Sequence, residues 1–442
     1  MSFRQAEHYL LGTINETISR RMPYRLERMH AFMRELGDPH RAFLSVHVAG
    51  TSGKGSTSTM IAAALQATGM RVGLHTKPHL RSMTERARID GVAITEERFA
   101  ALLDDMMPAI ERTTQAHGRP TYYETLLALT FCYFAQERVD IAAIEVGLGG
   151  SLDGTNVIVP QVGVITSIGF DHMDVLGDTI EEIAREKAGI AKTDVPLVVA
   201  VEDPKALAVI EAHAREAGAP VVRVSQAANI ENYEAARAGQ RFTVTTARGR
   251  YDIAFPVLGE FQRANAATAI VALEALDANL RPSIEAVETG FAHLAIPGRM
   301  ELFSGHPSVV FDIAHNAEKA EHLTMSLRER FPGRRFRFVI AIGQSKDAEQ
   351  ILRAFASVGA SFIFTTFAAT GRQAMRPARL AAIAESIGAW GRAIDDPVEA
   401  LAVARRSAKS DDVVVVTGST FIVATLRAWW FEHVLDFETA RV

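Results

Sequence analysis

The sequence predicts an α/β protein of two units, and three observations carry that reading. Short apolar, β-rich runs alternate with helical stretches, a glycine-rich loop lies where one such run meets a helix, and a Pro-Gly break separates two sets of runs. Alternation of this kind builds mostly parallel sheets wrapped by helices.

The N-terminal residues 3–36 read as helical, with Leu10, Leu11, Ile14 and Ile18 on one face and a basic cluster, Arg20, Arg21, Arg25 and Arg28, expected on a solvated face. Strands are expected at 43–48, 72–75, 141–146, 162–168 and 195–201, and a further run at 252–258 precedes a helix at 263–276. The segment Ala295-Ile296-Pro297-Gly298-Arg299 breaks the pattern, which places a boundary between a unit 1–296 and a smaller unit 297–442. Strands at 309–313, 336–342, 362–366 and 413–417, again interleaved with helices, give the second unit its own α/β sheet.

Composition bounds the partners. At 442 residues with 48% hydrophobic content the chain can fill two cores and is not disordered. A net charge of −5, with Lys and Arg scattered, gives no basic patch for nucleic acid and points to a small-molecule substrate. The single cysteine, Cys132, lies in the apolar run 126–134; it can form no intrachain disulfide, which fits a reducing compartment, and a buried thiol is favoured over a reactive one. Arg4, Glu7 and His8 interrupt the N-terminus, so neither a signal peptide nor a membrane span is expected, and the cytoplasm is the expected location.

The loop reads Gly50-Thr51-Ser52-Gly53-Lys54-Gly55-Ser56, between the run 43–48 and a helix 56–68 with Met60, Ile61, Ala64 and Leu65 at helical spacing. Glycines let backbone N–H groups curl around phosphate oxygens, Lys54 adds a positive charge, and the following helix N-terminus adds its partial charge. Ser56 is then placed to touch a phosphate-bound magnesium. Fewer residues separate Gly50 from Gly53 than in the common phosphate loop, so a flexible glycine-serine turn competes with this reading. The strand-to-helix junction favours the phosphate cradle.

Two further strand ends carry chemistry. The run 141–146 ends in Glu145 followed by Gly147, Gly149 and Gly150, and a carboxylate at the carboxyl end of a parallel strand either holds a hard cation or caps the next helix. The run 162–168 leads to Asp171-His172, where His172 is either a nitrogen ligand or a hydrogen-bonded structural residue. Lys187 follows on a short helix, and spacing alone does not separate it from Lys192.

Taken together, these motifs resemble the folylpolyglutamate synthases and bifunctional dihydrofolate synthase/folylpolyglutamate synthases of the Mur ligase superfamily. Besides the loop, the matching segments are Glu145 to Gly150 with Leu152-Asp153 and Thr155-Asn156, Asp171-His172, Glu186-Lys187-Ala188-Gly189-Ile190, Pro297-Gly298-Arg299, and Asp312 with Ala314-His315-Asn316. They cover nearly the whole chain, in family order. About fifty residues precede the loop, fewer than the separate N-terminal domain of cell-wall Mur ligases needs, which favours the folate branch.

The resemblance implies a central Mur-type ATPase domain with a mostly parallel sheet, and a smaller Rossmann-like C-terminal domain that handles glutamate. It implies that Gly50, Thr51, Ser52, Gly53, Lys54, Gly55 and Ser56 hold ATP phosphates, that Ser56 and Glu145 hold one Mg2+, and that His172 holds a second. Lys187 matches the lysine that this family carbamylates to help organise the second metal. Asn265 matches an adenine-side asparagine, Arg299 and Asp312 match groups that close over the nucleotide, and His315 and Ser419 match C-domain positions linked to activity and glutamate handling. The implied reaction phosphorylates the carboxyl of a folate or of dihydropteroate with ATP, giving an acyl phosphate that L-glutamate captures. Domain closure would exclude water, and the implied assembly is a monomer. Alternatives are a Mur-type ligase for another carboxylate, or a phosphate-loop protein that only hydrolyses nucleotide. The chain departs from the family at Lys77, where serine is frequent before Pro-His-Leu, and at Ser151, Gly154 and Ile313.

Overall fold

The computed structural model describes residues 1–14, 26–171, 173–236, 239–359 and 361–435. The chain divides into two compact units, Met1–Pro256 with Gln262–Leu294, and Val257–Phe261 with Ala295–Val442. A single cut at residue 297 therefore misses the short segment Val257–Phe261. Its apolar residues explain the assignment: Leu258 is buried in the second unit's core, and Phe261 stacks on His322 of the same unit.

The first unit is built on eight strands: β1 (Leu44–Ala49), β2 (Val72–His75), β3 (Ala87–Ile89), β4 (Val92–Ala93), β5 (Ile141–Glu145), β6 (Val162–Ile165), β7 (Leu197–Val199) and β8 (Val221–Arg223). Their order is β4-β3-β2-β5-β1-β6-β7-β8. All neighbours from β2 to β8 pair in parallel, and β3 and β4 extend the edge antiparallel. Strands β1, β5 and β6 are adjacent, so the loops that follow them emerge side by side at the sheet's carboxyl end. That is where an α/β sheet presents a ligand site.

Burial follows from the sequence pattern. Ile141, Ala142, Ala143 and Ile144 of β5 are fully buried, as a parallel strand covered on both faces requires. Helices Tyr122–Gln136 and Ile180–Ala188 each open on a Thr-x-x-Glu capping box, Thr121 with Glu124 and Thr179 with Glu182. One part of the core joins Phe99, Phe131 and Phe134 to Ala142 and Ile144; another joins Ala49, Val146 and Ile165 to Ala184 and Ile210.

A separate antiparallel sheet, β9 (Ala228–Ala236), β10 (Gly239–Thr246) and β11 (Gly249–Phe255), completes this unit. Only its third strand was expected, as the run 252–258. The second unit carries β12 (Glu301–Phe303), β13 (Ser308–Phe311), β14 (Phe336–Ile340), β15 (Ser361–Phe364), β16 (Gly391–Ala393) and β17 (Val413–Thr417), in the order β12-β13-β17-β14-β15-β16. All but β12 are parallel, as its four predicted strands required.

Two sequence expectations need comment. Arg28 is not on a solvated face: it is buried, and its guanidinium pairs with the equally buried Glu124 carboxylate at 3.0 Å, a partner too distant in sequence to anticipate. Arg20, Arg21 and Arg25, like Ile18, lie outside the described residues. Cys132 is buried, and burial pushes its thiol up to about 12, which keeps it unreactive. Among the described residues no helix is long and apolar enough to cross a membrane.

Candidate functional site

The glycine loop leaves β1 at Ala49 and enters helix Lys54–Gln66. Gly50 has φ 146° and Gly53, the helix N-cap, φ 84°, backbone that a side-chain-bearing residue adopts only under strain. A Cβ on Gly50 would lie 2.0 Å from Thr166 Oγ1, and one on Gly53 would lie 2.3 Å from Asn265 Oδ1. Both positions therefore demand glycine for space as well as for conformation. The loop is braced by the turn after β6: Thr51 N–H donates to Ser167 O at 2.9 Å, Ser52 N–H to Ser167 Oγ at 2.9 Å, and Thr166 Oγ1 to Ser52 O at 2.5 Å. Sequence reading assigned nothing to Thr166 and Ser167, although their place after a strand that neighbours β1 is a usable signal.

Three predicted groups converge here. Lys54 Nζ donates to Gly50 O at 2.7 Å, and Lys187 Nζ reaches the same carbonyl at 3.0 Å. Glu145 is buried at the end of β5; its Oε2 accepts the Lys77 N–H at 2.9 Å and lies 3.1 Å from where a Cβ on Gly55 would stand. The carboxylate thus serves the loop rather than a following helix. Lys187 is 4% exposed, whereas Lys192 turns to Asn156 O at 3.2 Å. Tertiary structure separates the two lysines that spacing left equivalent.

Close backbone packing explains the Lys187 position. A Cβ on Gly150 would meet Glu186 O at 2.6 Å and Lys187 O at 2.9 Å, and one on Gly189 would meet Ser151 Oγ at 2.0 Å. Ser151 in turn donates from N and Oγ to Glu186 O, at 2.9 and 3.1 Å. The departure at Ser151 is therefore used structurally, to hold the loop after β5 against helix Ile180–Ala188. Gly154 packs near Leu127 and Met29 in the core, and Ile313 is buried with its N–H on Gly298 O.

A buried polar chain supports the same end of the sheet. Asp153 accepts from Leu148 N–H at 2.7 Å, Thr155 N–H at 3.0 Å and Thr155 Oγ1 at 2.6 Å, while His47 Nε2 lies 2.8 Å from that hydroxyl. Burial, then Asp153, raises the Tyr123 phenol well above its ordinary value. Burial and the charge of Lys54 push the Lys77 ammonium down to about 8, against the opposing pull of Glu145 and Asp153.

Asn265 is buried in helix Glu260–Glu274 and donates to Gln262 Oε1 at 3.0 Å, against the loop at Gly53. His172 lies outside the described residues. Among the described residues no three His, Cys, Asp or Glu side chains form a metal-holding group. The donors present, the buried Glu145 carboxylate and the buried Ser56 hydroxyl that opens the helix, are hard oxygens of the kind magnesium takes. They fit that ion beside a phosphate chain.

In the second unit the strand ends gather another set. Asp312 follows β13 and is buried; its carboxylate accepts Met300 N–H at 2.9 Å and Ala314 N–H at 2.8 Å. Burial raises its carboxyl above the ordinary range, opposed by the Arg299 charge, these two bonds and the Lys319 charge. His315 Nδ1 lies 2.9 Å from Ile313 O, and its Nε2 lies 3.3 Å from Lys319 Nζ. Ser419 caps helix Thr420–Trp430, accepting Phe421 N–H at 3.2 Å, just after β17.

Residues 48–273 match the Mur ligase middle domain, and residues 298–420 the Mur ligase glutamate ligase domain. The dihydrofolate synthase/folylpolyglutamate synthase of Bacillus subtilis is 38% identical over 91% of this chain and 94% of its own length. The folylpolyglutamate synthase of Mycobacterium tuberculosis, solved in complex with ADP, superposes with a TM-score of 0.88 at 33% identity, covering 97% of this chain and 98% of its own. An Escherichia coli relative solved with DHPP and ADP gives 0.85 at 30% identity, over 98% of both chains. The chain accordingly belongs to the folylpolyglutamate synthase/dihydrofolate synthase family of Mur ligases, which are ATP-dependent ligases.

Proposed function

We propose that this chain uses ATP to join L-glutamate to the carboxyl group of a folate, and to dihydropteroate as a second acceptor, through an acyl phosphate. The single observation that carries the site reading is the carbonyl of Gly50, approached by both Lys54 and Lys187 inside a glycine-built loop with Glu145 alongside. Such a cluster is built around an anion.

In this reading the loop from Gly50 to Ser56 cradles the ATP phosphates while the Thr51 and Ser52 N–H groups stay on Ser167, and Lys54 swings from Gly50 O to the transferring phosphoryl group. Ser56 and Glu145 would hold a magnesium ion, with His172 and Lys187 serving a second. Bound there, magnesium supplies positive charge to the phosphate oxygens. Lys54 and Lys187 approach one carbonyl, so turning Lys187 into an anionic group would relieve the repulsion between them. The Lys187 amine would add CO2 at its nitrogen and release its protons to solvent, giving a carbamate, an oxygen-donor anion in place of a cation. Asn265 lines the nucleotide beside Gly53. In the second unit Arg299 and Asp312 attend the nucleotide, and His315 and Ser419 attend glutamate. Positioning and charge neutralisation do the chemistry: the folate carboxylate attacks the γ-phosphorus, ADP leaves, the glutamate amine attacks the acyl carbon, and phosphate leaves. We propose a monomer, which light scattering tests.

The decisive assay supplies ATP, magnesium and labelled L-glutamate with tetrahydrofolate or dihydropteroate in separate reactions, and identifies products by mass. Glutamylated product with both acids is the expected result. ADP release without amide product from either would overturn the reading, and intact-protein mass under bicarbonate tests the carbamate.

A further inference from the structure

Lys77 is a charged side chain at this strand end to which the proposed mechanism gives no role. It follows β2, whose His75 pairs in register with Ile144 of β5, so Lys77 stands beside Glu145 at the carboxyl end of the sheet. Its backbone N–H is bonded to Glu145 Oε2, the same oxygen that lies against Gly55 in the first turn of the loop helix. The side chain is half-buried. Lys54, Glu145, Asp153 and Arg86 all act electrostatically on its ammonium. With Lys77 itself, Lys54 and Arg86 make three cations against the two carboxylates of Glu145 and Asp153. Lys54, which opens the loop helix, and Lys77, which follows β2, repel each other, and an added anion offsets that repulsion.

We propose that Lys77 is a second cationic group for the terminal phosphoryl of the nucleotide, acting with Lys54. A flexible ammonium is a point charge that can follow a phosphoryl oxygen as the group moves from ATP to the acceptor carboxylate. A shorter side chain would leave that duty to metal and Lys54 alone. The proposal rests on the nucleotide reading above, and the folate carboxylate is the competing anion.

The test compares binding of ADP and of the triphosphate analogue AMPPCP, each with magnesium, by calorimetry in wild type, Lys77→Met and Lys77→Gln. Two neutral variants are used so that the comparison does not hang on the folding of one. Expected is a roughly ten-fold or greater loss of AMPPCP affinity with ADP affinity within about two-fold, a loss of kcat of about 10²-fold, and partial recovery in Lys77→Arg. An unchanged ratio of AMPPCP to ADP affinity in both neutral variants overturns the proposal, and so does a defect confined to the KM for folate. Failure of wild type to bind either nucleotide would instead remove the functional reading itself.

Discussion

Replacing Gly150 with alanine should disable the enzyme without touching a single group that meets substrate. The new methyl carbon would sit 2.6 Å from Glu186 O, 2.9 Å from Lys187 O and 3.1 Å from Lys187 Cα, all backbone atoms with no side-chain torsion to turn aside. Reaching ordinary contact near 3.4 Å requires helix Ile180–Ala188 to retreat by about 0.8 Å, at about 1–3 kcal/mol. The bond from Lys187 Nζ to Gly50 O, now 3.0 Å, would lengthen to about 3.8 Å, outside hydrogen-bond range. A displacement of that size in a catalytic constellation costs on the order of 10²-fold in rate. Steady-state glutamate ligation gives kcat, and urea unfolding gives stability. Gly343→Ala is the control, because a Cβ there has nothing nearer than 3.9 Å. Gly150→Ala with the kcat and stability of wild type would refute the claim that this backbone contact sets the lysine.

Two further outcomes follow from burial. Arg28→Met should lower unfolding free energy by about 3–5 kcal/mol in urea, because Glu124 is left charged in the core; a loss under about 1 kcal/mol would mean the pair is dispensable. His47 and His75 are each held down to about 3, chiefly by burial, against 6.5 for the free side chain. Their folded values lie below their unfolded ones, so the unfolded chain binds more protons, and the stability they confer is complete above pH 6.5 and lost as pH falls toward 3. In mid-window the pair should contribute about 2.7 kcal/mol per pH unit to the change in unfolding free energy, and His47→Gln should lower the measured slope by about 1.4 kcal/mol per pH unit. Unfolding free energies equal at pH 6 and pH 4.5 would contradict this.

Much of the architecture is written locally. Val413–Thr417 was expected with its observed bounds because a central parallel strand, buried on both faces, is an unbroken apolar run. Sheet β9 to β11 was mostly missed for the opposite reason: β9 reads Ala-Asn-Ile-Glu-Asn-Tyr-Glu-Ala-Ala, is exposed along most of its length, and is held by its pairing with β10. Site residues divide in the same way. The loop announces itself through glycine and lysine spacing, but the distinction of Lys187 from Lys192 depends on Gly150, and that of Arg28 from its neighbours on Glu124. Thr166 and Ser167 carry no motif, and only the adjacency of β1 and β6 gives them their duty.

The doubly approached carbonyl of Gly50 has a consequence for how a nucleotide arrives. Lys54 Nζ donates to the main chain of its own loop, at Gly50 O and Thr51 O, so on the reading proposed above an incoming polyphosphate must draw the ammonium away from those carbonyls. Affinity is then the net of an exchange, so on that reading a nucleoside lacking phosphates should bind far more weakly than ADP, with no steric gate required.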